Sequence, residues 1–171
     1  MAKGKWHDRF NLFTGAVITG GMMGLEVSAE VVVAFTAGWL FSTLIFGPDT
    51  DITPKRRSQI LRYFLYPYSF FFQHRGISHH FFWGTVTRNL YLLAILILFI
   101  NIFVYLLNLS GINLSVMDFF IQLKPHLKTL FTSEGLIFWK AFFSLFLGQW
   151  LSDLMHLFMD KLADKTGFFY K

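Results

Sequence analysis

The sequence predicts an all-α integral membrane protein, a helical bundle of about four transmembrane helices with interfacial helices beside them. Three observations carry this expectation. Hydrophobic residues make up 54% and charged residues 15% of the 171 residues, against roughly 45–50% and 25% in soluble domains. A single domain of this length cannot hide so much apolar surface from water. Apolar runs of the length that crosses a ~30 Å hydrocarbon core recur along the chain, with most cations between them.

The elements follow in order. Residues 10–25 form the first and weakest span, short and glycine-rich. Residues 27–47 form the second, aliphatic and uncharged beyond Glu30. Residues 89–110 form the third, which carries no charge from Leu90 to Leu109. Residues 135–159 form the fourth, apolar but holding Lys140, Asp153 and His156. Lys3, Lys5 and Arg9 ahead of an apolar run imitate a signal peptide. However, Val27-Ser28-Ala29 is a poor cleavage site and a second apolar run follows at once. The connection 47–88 opens with Gly47-Pro48-Asp49-Thr50-Asp51 and passes through Lys55-Arg56-Arg57. It continues as an aromatic stretch, 63–72, interrupted by Pro67, which suits a segment lying at headgroup depth. Residues 116–131 read as a short amphipathic helix bent at Pro125. The whole chain, 1–171, reads as one membrane-embedded domain with a cytoplasmic metal-site loop at 47–88.

Four crossings place both termini and the 47–88 connection on one side. That side then carries twelve of the fifteen Lys and Arg residues. By the positive-inside rule it is cytoplasmic, making this a multi-pass inner-membrane protein. The net charge of +5 is thereby topological, and no nucleic-acid partner is expected.

The absence of cysteine excludes disulfides and thiolate metal sites, so any metal must be held by His, Asp or Glu. On the last span, Gln149, Asp153, His156 and Asp160 fall in one stripe at 100° per residue. A carboxylate and an imidazole at i, i+3 suit one shared ion or a proton path. Ionisable groups inside a span cost roughly 2.5–3.5 kcal/mol each on insertion scales, so they normally face the bundle interior and serve function. Asp160 is read differently, as a helix end wetted by headgroups. Asp49 and Asp51 lie on one side of an extended segment and suit one or two metal ions. His74 and His79 flank Gly76, whose turn can bring them together. Between them Arg75 reads equally as an anion clamp or a topological anchor. His7-Asp8 offers a ligand with its carboxylate partner, although Asp8 also suits a helix N-terminus. His80 and Gln149 are read as supporting residues around the ligands.

Gly4-Lys5-Trp6-His7-Asp8-Arg9, Phe46-Gly47-Pro48-Asp49-Thr50-Asp51, Tyr66-Pro67-Tyr68, His74-Arg75 through Ser78-His79, and Gly84-Thr85 to Arg88-Asn89-Leu90-Tyr91 together resemble an uncharacterised bacterial family of metal-binding integral membrane proteins. The likeness covers most of residues 4–91 and resumes over 148–160. More distantly, the chain is similar to inner-membrane metal-dependent hydrolases, which share an N-terminal His, a Pro-Asp-x-Asp after a span and a His-Arg-x-x-x-His loop. The resemblance implies metal binding by His7, Asp49, Asp51, His74, His79 and the Asp153/His156 pair, together with hydrolase activity. His80 departs from the family pattern, which has a small residue after His79, so either histidine stands as the ligand.

The expected cofactor is one or two divalent ions, Zn²⁺ first, with Mn²⁺ or Fe²⁺ also suited to these donors. The expected partner is membrane lipid, and the expected substrate a phospholipid or lipid-linked phosphate, its charge held by Arg75 and Lys55–Arg57. The competing reading is a non-catalytic metal-binding membrane protein: a transport subunit, a sensor or a structural metal site. Transport asks for polar residues across the bilayer, and the spans offer few.

Overall fold

The computed structural model describes residues 4–48, 61–71, 80–129, 132 and 135–166. Among them the chain is all-α, with helices α1 (Gly4–Gly24), α2 (Ala29–Leu44), α3 (Leu61–Phe71), α4 (Trp83–Leu109), α5 (Val116–Thr129) and α6 (Gly135–Thr166). α1 starts well before the expected first span, because nothing between Gly4 and Phe10 breaks a helix. His7 and Asp8 therefore sit inside the helix rather than ahead of it. α3 and α5 each run through an internal proline, Pro67 and Pro125.

Among the described residues one helix, α4, is both long and apolar enough to cross a membrane; α2 is apolar but 16 residues long. The four-span reading of the sequence is thus met by one candidate helix. α1 is diluted by His7, Asp8, Arg9, Asn11 and its glycines, and α6 by Lys140, Gln149, Asp153 and His156.

The chain divides into two compact units, Met1–Arg88 with Lys140–Lys171, and Asn89–Trp139. In the first unit, α1, α2 and α6 pack through small residues. A Cβ on Gly38 would lie 2.0 Å from the carbonyl oxygen of Leu145, and one on Gly148 would lie 2.1 Å from that of Phe35. A Cβ on Gly15 would meet the Trp39 indole at 2.5 Å. Without a Cβ at these positions the helix backbones approach closely.

The α1–α2 turn follows from a helix end in which Glu26 takes a left-handed conformation, φ 56°. The Val27 amide reaches back to the Met22 carbonyl at 3.0 Å, a six-to-one closure that favours glycine at the left-handed position. α3 docks by Leu65 and Tyr68, both buried. The Tyr68 hydroxyl lies 3.0 Å from Thr87 Oγ1, and its ring meets Phe46 edge-on. The other α3 aromatics, Tyr63, Phe64, Tyr66, Phe70 and Phe71, are exposed.

In the second unit, α5 is capped reciprocally. Ser115 donates to Asp118 Oδ2 through its hydroxyl at 2.6 Å and its amide at 3.1 Å, and the Asp118 amide donates to Ser115 Oγ at 3.0 Å. This is a capping box with aspartate in the acidic position. The Ser115 hydroxyl first, and its amide second, hold the Asp118 carboxyl below its ordinary value.

Candidate metal centre

The buried stripe of α6 is Gly148/Gln149, Ser152/Asp153, His156, Met159 and Ala163, the three-to-four spacing of one helix face. On α1 the buried positions His7, Asp8, Asn11 and Gly15 repeat the same period, and on α2 they include Trp39, Ser42 and Thr43. Two neighbouring polar clusters form where these faces meet.

The first cluster joins α1 to α6. His7 Nε2 lies 3.3 Å from Asp160 Oδ1, and His156 Nε2 lies 3.7 Å from Asp160 Oδ2. The two imidazoles stack, with centroids 4.2 Å apart and planes 22° from parallel. One ligand atom from each of His7, His156 and Asp160 can be chosen so that all lie within 4.8 Å of one another. Both histidines are buried, and Asp160 is 17% exposed.

The second cluster surrounds Asp153. Ser42 Oγ donates to Asp153 Oδ1 at 2.5 Å, and Thr85 Oγ1 and the Arg88 guanidinium both donate to Oδ2. All four residues are buried. Ser152, next along α6, accepts from Asn11 Nδ2 through its carbonyl at 3.2 Å and its hydroxyl at 3.4 Å, and pairs with Thr43 Oγ1 at 2.9 Å. These contacts tie the first turns of α4, the end of α2 and the face of α1 to α6.

The first cluster fits a divalent cation on three counts. Charge-assisted hydrogen bonds between imidazole and carboxylate run about 2.7–2.9 Å, so the two His–Asp160 separations are long for direct pairing. Two donors on one tetrahedral Zn²⁺ at ~2.0–2.1 Å lie about 3.4 Å apart, the scale seen here. The remaining ring nitrogen of His7, Nδ1, is buried without a hydrogen-bond partner, which shows that internal hydrogen bonding does not account for this ring.

The expected ligands are distributed as follows. His7 and His156 come together, with Asp8 and Gln149 buried on the same helix faces. Asp153, expected on the metal with His156, instead faces Arg88, Ser42 and Thr85. Asp160, expected at a wetted helix end, takes the position between the imidazoles. His80 is exposed, and its Nδ1 accepts from the amides of Phe82 and Trp83 at 3.4 and 3.5 Å, at the start of α4. Asp49, Asp51, His74, Arg75 and His79 lie outside the described residues. Sequence reasoning missed Arg88, Ser42, Thr85 and Asn11. Asn11 lies one turn beyond His7 on α1, and Thr85 and Arg88 fall in the Gly84–Tyr91 motif, but none was given a role at the site.

Comparison with known proteins agrees with the donor chemistry. A model of the family described as "Uncharacterized metal-binding protein (DUF2227)" matches residues 2–169. An uncharacterized protein of Aquifex aeolicus (strain VF5) is 35% identical over 63 residues, covering 35% of this chain and 45% of that protein. The chain thus spans under half the length of that relative. No solved structure matches. With a match over nearly its whole length, the chain belongs to this family of uncharacterized metal-binding proteins.

Proposed function

We propose that this metal-binding protein is a membrane-embedded, metal-dependent hydrolase. It holds a divalent cation, Zn²⁺ first, on His7, His156 and Asp160, and acts on a phosphoester or acyl ester of an amphiphile at the headgroup level. The observation that carries the reading is the buried two-histidine, one-carboxylate cluster. Two imidazoles and one carboxylate are a donor set that catalytic zinc sites use. A divalent ion held there supplies Lewis acidity, polarising a substrate oxygen and acidifying water.

The chain's own residues do the rest. The two imidazoles offer neutral nitrogen donors, and Asp160 between them offsets the cation's charge. The Asp153–Arg88 pair holds α6 in register so that His156 faces His7. Asp49, Asp51, His74 and His79 are proposed as further donors to the same or a second ion, and Arg75 as an anchor for substrate charge.

Membrane embedding is supported by the distribution of side chains. In α1, α2 and α6 the buried positions include His7, Asp8, Asn11, Ser42, Gln149 and Asp153, while Phe13, Val17, Val33, Phe142 and Phe143 point outward. Water rewards the reverse arrangement, and hydrocarbon rewards this one. α4, at 27 residues, spans about 40 Å, more than a ~30 Å core requires. Multiple crossings with cytoplasmic termini, set by the Lys and Arg distribution, complete the proposal.

The test is an assay of purified protein in lipid nanodiscs, stripped with chelator and reloaded with Zn²⁺, against vesicles containing phosphatidic acid and against acyl-ester lipids. Zn²⁺-dependent hydrolysis by the wild type, absent from Asp160→Asn, is the expected result. A fully metallated protein inert toward both bond types would show a non-catalytic metal protein instead.

A further inference from the structure

Two buried polar atoms on α1 have no hydrogen-bond partner: His7 Nδ1 and Asn11 Oδ1. They belong to residues at i and i+4 on one helix face, where Cβ atoms lie about 5–6 Å apart. Both residues are buried, His7 at 2% and Asn11 at 3% exposure. The rest of Asn11 is committed. Its Nδ2 donates to Ser152 on α6, and its backbone carbonyl accepts from Trp39 Nε1 of α2 at 2.8 Å. The side-chain amide is therefore held from α6 and the backbone beneath it from α2, with the amide oxygen left over.

His7 is constrained in a complementary way. Its Nε2 is the nitrogen that faces Asp160. If Nε2 gives its lone pair to a cation, the ring proton must sit on Nδ1. A buried N–H donor of that kind needs an acceptor, and metal-ligating histidines almost always have one, which fixes both tautomer and ring orientation. Asp160 faces the other side of the ring.

We propose that Asn11 is the positioning residue of the metal centre. Neither Asn11 Oδ1 nor His7 Nδ1 has a direct partner among the described residues, so one buried water accepts the His7 Nδ1–H and donates to Asn11 Oδ1, and the ring thereby presents Nε2 to the cation. A single side chain thereby links helix packing to ligand geometry: Ser152 and Trp39 fix Asn11, and Asn11 fixes His7. The inference rests on the proposed His7/His156/Asp160 site.

The test is Zn²⁺ affinity, measured by competition with a chromophoric chelator, for the wild type, Asn11→Ala, Asn11→Asp and Ser152→Ala. It is paired with the ¹⁵N NMR signature of the His7 tautomer in the metal-free proteins. Asn11→Ala should weaken Zn²⁺ binding by ~10–100-fold, the usual cost of losing such a partner, and mix the His7 tautomers. Asn11→Asp keeps an acceptor while giving up the amide's bonds to Ser152, and should restore both affinity and the Nδ1–H form. Ser152→Ala removes the hydroxyl contact to Asn11 Nδ2 but keeps the backbone carbonyl one, and should weaken Zn²⁺ binding less than Asn11→Ala does. Wild type that binds Zn²⁺ while Asn11→Ala binds equally well overturns the role of Asn11 and leaves the site intact. Equal losses in Asn11→Ala, Asn11→Asp and Ser152→Ala would show a packing role only, and also overturn it. Wild type that takes up no Zn²⁺ overturns both the site and its positioning residue.

Discussion

α6 carries two buried carboxylate environments two turns apart, and they are built in opposite ways. Asp153 is saturated: a guanidinium and two hydroxyls converge on its oxygens. Asp160 meets two imidazoles at 3.3 and 3.7 Å, distances too long for strong pairing and suited to an intervening cation. The contrast teaches that burial and helical register do not by themselves make a carboxylate a ligand. A neutralised, fully hydrogen-bonded carboxylate has little left to offer a metal. Asp153 therefore holds the helices, and Asp160 faces the site.

The largest expected effect breaks the saturated side. Asp153→Ala or Arg88→Ala leaves an uncompensated buried charge and should cost about 3–5 kcal/mol in reversible unfolding. The double replacement Arg88→Met with Asp153→Leu should recover most of that loss. If each single variant is as stable as wild type, the pair does not hold the helices.

Next come the glycines that bring those helices together. Gly148→Ala forces a Cβ to within 2.1 Å of the Phe35 carbonyl and should destabilise by about 1–3 kcal/mol. Gly20→Ala meets open space and should be neutral or slightly stabilising, since alanine suits a helix better by roughly 0.5–1 kcal/mol. Thermal unfolding of the two variants side by side checks the difference.

The third comparison sharpens the open side. Asp160→Asn should abolish stoichiometric metal binding yet change metal-free stability by less than about 1 kcal/mol, because the amide keeps the size and shape of the carboxyl. Metal content and unfolding measured on the same samples separate the two effects.

The smallest effect is remote from both. The Asp118 carboxyl is held below its ordinary value by Ser115. Its contribution to capping α5 is therefore present above the unfolded-state value and fades as pH falls through the lowered folded value. Amide exchange in the first turn of α5 should rise on acidification in wild type, relative to its intrinsic rate, and rise less in Ser115→Ala, which keeps only the backbone amide bond to Asp118. Equal profiles would argue against the cap.

How much of this was legible in the sequence depends on the range of each interaction. The stripe of Gln149, Asp153, His156 and Asp160 is set by helical period alone and reads directly from the spacing. So does the presence of helices around the apolar runs, as α2 and α4 show. The division of labour within the stripe does not. Asp153 is decided by Ser42, Thr85 and Arg88, which lie 111, 68 and 65 positions away along the chain. Arg88 reads locally as one more cation near a membrane face. Asp160 reads as a frayed end because Lys161, Asp164 and Lys165 surround it, yet α6 continues to Thr166 and keeps it on the inner face. Asn11 looks like an ordinary polar residue in a weak span until Ser152 and Trp39 are brought against it by the fold.

The central claim is that the cation sits between His7, His156 and Asp160 rather than on Asp153. The most direct measurement is an anomalous difference map recorded at the zinc edge from crystals of the Zn²⁺-loaded protein. The account predicts a peak about 2.0–2.2 Å from one donor atom of each of these three residues, with none on the Asp153 carboxylate. A peak coordinated by Asp153, or no peak among His7, His156 and Asp160, would contradict it.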